Sequence, residues 1–284
     1  MKKDKTPVLL KVVRWWFPKL ERFAPSIANR FFVKVFFTPL RYAVPEKEKE
    51  TLASAKKFTI QILDKNIQCY SWGTGPLVLL VHGWAGRPTQ FRKFITRLVD
   101  AGYEVVGFDG PAHGASDGRR TNIKEFEAVI KKLYELKGKP KAIITHSFGG
   151  SAVLYSAMNG LPVSKLINIA SPVIADDIIR TYLKAINGSW KTAEFFKSYI
   201  LDTQGKPFEE FTAEHFIRNL RQPIQLLLVH DEDDKDVGIH QAEALIKLYS
   251  KAKLFRTKGL GHTRILKDDN VIDICVTFIS SEAS

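Results

Sequence analysis

Five short, nearly unbroken apolar runs limit what this chain can become more than any other feature: Leu77 to Val81, Tyr103 to Phe108, Ala142 to Thr145, Leu166 to Ala170 and Ile224 to Val229. A strand covered on both faces loses the in-and-out alternation of a half-solvated strand and reads as such a run. Helical stretches separate most of them. In one, Asn122 and Glu125 form a capping box, Phe126, Val129, Ile130 and Leu133 share a face, and Gly138 and Pro140 close the segment. Upstream, Phe58, Ile60 and Ile62 alternate with polar residues, Asp64-Lys65-Asn66 can turn, and Ile67 to Trp72 return, which predicts a β-hairpin. The fold class is therefore α/β, a mostly parallel, doubly wound sheet with an antiparallel hairpin at its start.

This body is expected over residues 51–284, with a helical insertion at about 172–222, where the alternation lapses. There Ile178, Ile179, Tyr182, Leu183 and Ile186 make one stripe, ended by Asn187-Gly188, and Phe195, Phe196, Tyr199 and Ile200 make a second. Such an insertion reads as a helical lid, most of whose apolar residues serve packing. At 284 residues and 45% apolar composition, the chain can bury a sizeable core. Cys69 and Cys275 stand alone, so neither a disulfide scaffold nor a zinc site has support.

Residues 1–50 read as a basic, amphipathic helical extension in two pieces separated by Pro18 and Pro25, followed by a charged linker around Glu46 to Glu50. The first piece is expected to share Leu9, Val12, Val13 and Trp16 on one face, and the second Ala28, Phe31, Phe32 and Val35. Ten Lys and Arg residues against Asp4 and Glu21 place +8 of the formal charge of +13 before Pro45. No helix-turn-helix, zinc-finger or RNP-like signature accompanies it, which argues against nucleic acid as a partner. Lys11 and Arg14 interrupt any secretory core, and no run reaches the ~18 residues of a membrane span. A cytoplasmic location is expected, peripheral at the inner membrane surface if the arm binds lipid. Two readings of the arm stand side by side: an interfacial anchor carrying Trp15, Trp16 and Phe17, or a helical arm packed on the body or forming part of its substrate entrance. The sequence does not give the oligomeric state.

The chemistry concentrates in a few loops that follow strands. Thr145-His146-Ser147-Phe148-Gly149-Gly150 joins an apolar strand to a helix, and a sharp turn there lifts Ser147 above the sheet, with the Phe148 amide at the helix start as a donor for developing negative charge. The plainer reading is a serine capping the helix. Val81-His82-Gly83-Trp84 adds a second amide donor at Trp84, so Trp84 and Phe148 make a candidate oxyanion hole and line the acyl pocket. Asp109 to Ser116 forms a tight loop in which Asp109 and His113 are expected to bond internally. His262, in the glycine-bounded Gly259-Leu260-Gly261-His262-Thr263, is the candidate base among seven histidines. Asp231, Asp233, Asp234 and Asp236 crowd the loop after Val229 as candidates for the acid, and most of them are expected to be solvated, because close carboxylates cannot all be buried.

His82-Gly83, Asp109 to Ser116, the serine turn and Gly261-His262 together resemble the α/β-hydrolase superfamily, in its lipase, esterase and acylglycerol-lipase-like branch with a helical lid, over roughly Lys57 to Ile279. In that family a loop written G-x-x-D-x-x-V carries the acid. Here Asp231 stands at the glycine, and Asp234 and Val237 match, so the resemblance gives Asp234 the acid role beside Ser147 and His262. It implies hydrolysis of a carboxylic ester or thioester with a hydrophobic acyl group through an acyl-enzyme on Ser147, with no metal or organic cofactor. Carbon–carbon bond hydrolysis stays open. The rival is a protein that keeps the fold and only binds a ligand or partner. Thr145, where the first glycine of G-x-S-x-G would stand, and Asp231 both encourage it.

Overall fold

The computed structural model describes residues 8–281. They divide into two compact units: residues 8–38 with Ile174–Phe211, and Pro39–Val173 with Thr212 to residue 281.

The larger unit is built on one eight-stranded sheet. Its strands are β1 (Lys56–Ile62), β2 (Lys65–Trp72), β3 (Leu77–Val81), β4 (Glu104–Phe108), β5 (Ala142–His146), β6 (Lys165–Ile169), β7 (Gln225–Asp231) and β8 (Lys253–Thr257), in the order β1-β2-β4-β3-β5-β6-β7-β8. β2 pairs antiparallel with both β1 and β4, and the remaining pairs are parallel. β3, β5 and β6 are buried at every residue, which is why their sequences are mostly apolar, broken only by Thr145 and His146 in β5 and by Lys165 and Asn168 in β6. The Asn122 side chain accepts from the Glu125 amide and starts the helix Ile123–Lys137, as the capping pattern implied. Cys69 and Cys275 are buried free thiols.

One stretch of this unit departs from the sequence reading. The charged residues around Glu46 to Glu50 are not a linker but the helix Glu46–Ala53. Glu48 is buried and accepts from Thr89 Oγ1 at 2.8 Å, while Trp72 Nε1 donates to the Thr51 carbonyl at 2.8 Å. Tertiary partners, rather than any apolar stripe, hold that helix down.

In the smaller unit the helices Val8–Phe23 and Pro25–Phe36 share a core with Ala175–Ile186 and Trp190–Gln204, in which Phe17, Phe32, Ile179, Leu183 and Phe196 are fully or nearly buried. Asn187 adopts a left-handed conformation and ends its helix where Asn-Gly was expected to. Pro18 does not separate two pieces, since it lies inside the first helix, and only Pro25 starts a new one. The inward face of the first helix is also not the expected one. Val12 and Trp16 are exposed; Val13 does pack on the core, together with Phe17 and Leu20. The Leu9 side chain lies outside the described residues. The insertion read at 172–222 differs in extent as well, because the helix Ala213–Arg218 lies in the sheet unit. Among the described residues no helix is long and apolar enough to cross a membrane.

Candidate active site

The candidate residues lie at the carboxyl ends of β3, β5 and β7 and in the loop after β8. Ser147 sits between β5 and the helix Phe148–Met158 with φ 51° and ψ −124°, a conformation that costs a non-glycine residue on the order of 1–3 kcal/mol. Its backbone is fastened on both sides: the Ser147 amide donates to the Ile169 carbonyl at 2.8 Å, and the Ser171 hydroxyl donates to the Ser147 carbonyl at 2.5 Å. Ser147 is the residue before the helix, yet its side chain makes no capping bond, so the plain capping reading of this serine does not hold.

The surrounding glycines show why the turn needs them. A Cβ on Gly149 would stand 2.3 Å from the Val81 carbonyl oxygen, and one on Gly83 would stand 2.8 Å from the Ser147 Cβ. β3 and its following loop therefore press directly on the turn. Thr145 is tolerated because it faces the other neighbour: its hydroxyl donates to the Ile167 carbonyl at 3.0 Å and lies 3.2 Å from Asn168 Oδ1 on β6. The departure from the glycine pattern is thus met by a polar site on the adjacent strand.

His262 Nδ1 and Asp234 Oδ2 are 2.8 Å apart. Asp234 Oδ1 accepts from the Asp236 and Val237 amides, both at 2.9 Å, so its carboxylate is fixed at both oxygens. Burial pushes the Asp234 carboxyl up, but His262 and the two amides outweigh it and leave the group below its ordinary range. Behind it, His230 is buried, with Nε2 2.7 Å from the Val237 carbonyl oxygen and 3.8 Å from Asp234 Oδ2. The His146 side chain leaves the serine turn toward the histidine loop. Its Nε2 donates to the His262 carbonyl at 2.8 Å, and the two rings stand 4.7 Å apart, which ties the segment after β5 to the histidine loop.

Asp231 departs from the expectation that most of the four carboxylates would be solvated. It is buried, as is Asp234, because it is surrounded by donors: the Asp233 amide (3.0 Å), Thr257 Oγ1 (2.7 Å), the Leu260 amide (3.0 Å) and the Gly261 amide (2.8 Å). Burial raises its pKa and these donors, led by Gly261, lower it further than burial raises it. Asp231 therefore joins the acid loop to the backbone just before His262. Sequence spacing gave no signal for this, because its partners Thr257, Leu260 and Gly261 lie 26 to 30 residues away.

Two further histidines brace the Gly83-Trp84 loop. The Gly110 amide donates to His82 Nε2 at 2.8 Å, which puts the His82 proton on Nδ1, 2.7 Å from the Gly83 carbonyl oxygen. The Ala85 amide donates to His113 Nε2 at 3.1 Å, and His113 Nδ1 donates to the Pro111 carbonyl at 2.9 Å. Each ring must accept at one nitrogen, so each is neutral. Asp109 anchors the same loop, accepting from Tyr70 and from the Ala115 amide, both at 2.9 Å. Arg41 holds its far side, donating to the Ala112 (3.0 Å), Ser116 (2.6 Å) and Gly118 (2.9 Å) carbonyls. Nothing in the order of residues pointed to Arg41. The Trp84 and Phe148 rings meet edge to face, with centroids 5.3 Å apart.

A family model described as "Alpha/beta hydrolase family" matches residues 78–274. The chain belongs to the α/β-hydrolase family. A magnesium-chelatase 30 kDa subunit of Rhodobacter capsulatus is 34% identical over 99 residues, 34% of each chain. A monoacylglycerol lipase of Mycolicibacterium smegmatis is 26% identical over 119 residues, 39% of this chain and 42% of the lipase. The chain thus aligns with well under half the length of these two relatives. Among solved structures, an esterase of Pyrococcus furiosus superposes with a TM-score of 0.63 at 20% identity, over 86% of this chain and 97% of the esterase.

In this α/β-hydrolase, Asp234, Asp236 and His262 also bring three metal-capable atoms within 4.8 Å of one another. Two of those residues are the pair already joined by the 2.8 Å hydrogen bond, and Asp236 is exposed, so the cluster is accounted for without an ion.

The buried histidines carry a pH prediction. Burial lowers His82 to about 4 and both His113 and His146 to about 3. The unfolded chain takes up these protons near the ordinary value of 6.5, whereas the folded chain does not. Stability is therefore full above about pH 6.5 and is lost as pH falls toward 4, with a slope approaching about 1.4 kcal/mol per pH unit for each histidine. Thermal melts between pH 8 and 4 should show Tm level above 6.5 and falling below it. A Tm unchanged from pH 6.5 to 4.5 would remove the neutral-histidine bracing.

Proposed function

We propose that the chain is a serine hydrolase that cleaves a carboxylic ester or thioester through an acyl-enzyme on Ser147. The observation that carries this reading is the 2.8 Å contact between His262 Nδ1 and Asp234 Oδ2, with the His262 carbonyl bonded to His146, the residue before Ser147 on its strained strand-to-helix turn. Because Nδ1 is held by Asp234, Nε2 of His262 is the nitrogen that takes the Ser147 proton as the hydroxyl oxygen attacks the acyl carbonyl. The Phe148 amide, at a helix start where no preceding turn claims it, and the Trp84 amide hold the negative oxygen of the tetrahedral intermediate. Collapse expels the alcohol or thiol, which takes the proton from His262. Water, deprotonated by the same histidine, then attacks the acyl carbon, and collapse frees the acid as His262 returns the proton to Ser147 Oγ. Asp234 orients the ring and stabilises its cation throughout.

The edge-to-face rings of Trp84 and Phe148 favour a hydrophobic acyl group. The monoacylglycerol lipase and esterase relatives are in keeping with that class of substrate. The reading is tested with p-nitrophenyl esters of increasing chain length and a fluorophosphonate probe. Turnover is expected, with kcat/KM higher for medium acyl chains than for acetate, together with covalent labelling at Ser147. Folded protein that neither turns over any ester nor labels would be a binding protein on a hydrolase fold.

A further inference from the structure

The first described helix, Val8–Phe23, has an outward face as well as an inward one. Val13, Phe17 and Leu20 turn toward the helical core. Glu21, the one acid of this helix, turns inward with them and accepts from the Ser189 amide (2.9 Å), Ser189 Oγ (3.0 Å) and Thr192 Oγ1 (2.6 Å) at the start of the helix Trp190–Gln204. At about 100° per residue, the arc opposite Phe17 holds Val12, Trp15, Lys19, Arg22 and Phe23. On it Val12 is 54% exposed, Trp15 66% and Phe23 77%, and Ile27 on the next helix is 57% exposed. The Lys19 ammonium lies over the Trp15 ring, 3.2 Å from its centroid, and the Arg22 guanidinium lies over Phe23 at 5.4 Å.

Five of the eleven exposed large apolar side chains among the described residues fall between positions 12 and 27, so this exposure is a patch and not scatter. Its polar component is wholly cationic, since the acid has been drawn to the other side. A partner that fits must accept aromatic and aliphatic side chains and supply negative charge between them. An anionic bilayer surface does both: indole and phenyl rings enter the headgroup boundary while lysine and arginine reach lipid phosphates from their apolar stems. A nucleic acid would meet the cations but leave Val12, Phe23 and Ile27 in water.

We propose that the outward face of Val8–Phe23, with Ile27, docks on an anionic lipid surface. The two readings of the arm are then compatible, because one face packs and the other binds. The proposal is independent of the chemistry at Ser147. The full-length protein is sedimented with vesicles of ether-linked phosphatidylglycerol and phosphatidylcholine, and with phosphatidylcholine alone, at low salt; ether linkages keep any hydrolysis out of the measurement. Binding to the anionic vesicles, with a blue shift of tryptophan fluorescence, is expected. Lys19→Gln and Arg22→Gln should each weaken it about 5-fold, and together about 25-fold. Trp15→Ser with Phe23→Ser should abolish the blue shift and the salt-resistant part of binding. Unchanged melting temperatures establish that these surface variants fold. Equal binding to neutral and anionic vesicles, no binding to either, variants that bind like the parent, or displacement by an oligonucleotide that binds more tightly than the vesicles would each overturn the proposal.

Discussion

Replacing Ser147 by alanine is expected to lower kcat on the order of a million-fold and to abolish fluorophosphonate labelling, with little change in stability. The activity loss follows because His262 then has no hydroxyl to deprotonate, and only binding and amide donors remain to speed attack by water. The fold survives because the turn is held by backbone groups, the Ser147 amide on Ile169 and the Ser147 carbonyl under Ser171, which alanine retains. Alanine tolerates the φ of 51° no worse than serine does. The measurement is single-turnover hydrolysis alongside a thermal melt. If the variant kept as much as a hundredth of the parent rate, some other group would be the nucleophile.

The second large effect is expected at the acid. Asp234→Asn should reduce kcat roughly ten-thousand-fold while KM changes little. The direction is dictated by the two amides on Oδ1. They require an oxygen there, so the new NH2 group must occupy the other position and point at His262 Nδ1. A donor facing Nδ1 forces the ring proton onto Nε2, and that nitrogen then cannot accept from Ser147. Asp236, by contrast, is exposed, and its contact with Asp234 is through its backbone amide. Asp236→Asn should stay within about threefold of the parent, because the side chain is exposed and asparagine keeps the backbone amide that Asp234 accepts from. A collapse of kcat in the Asp236 variant with retention in the Asp234 variant would exchange their roles.

Much of the sheet could be read in advance because burial on both faces leaves a local trace, an apolar run between turn residues, as in Leu77–Val81 and Ala142–His146. β8 left a weaker one, since at the sheet edge its Leu254 and Phe255 are only partly buried. The serine turn is legible for a related reason: glycines mark places where backbones crowd, and a Cβ on Gly83 or Gly149 would stand 2.8 Å from the Ser147 Cβ or 2.3 Å from the Val81 carbonyl oxygen, whereas Gly259 and Gly261 of the histidine loop answer to positive φ angles of 82° and 65°. What stayed hidden are roles assigned by partners far along the chain. Asp231 looked like one solvated carboxylate among four until Thr257, Leu260 and Gly261 surrounded it. The inward face of the first helix was misread because Trp16 and Phe17 are neighbours of similar character, and periodicity alone does not say which of the two belongs to the core.

Arg41 lies fifteen residues before the first strand, yet its guanidinium grips three carbonyls of the loop that follows β4. The stretch from Pro39 to Ala55 is accordingly a buckle, closed again by Glu48 on Thr89 and by the indole of Trp72 on Thr51. A fragment cut at Lys56, the tidy boundary suggested by the strands, would undo all three fastenings at once. A piece that keeps all three must begin ahead of Arg41.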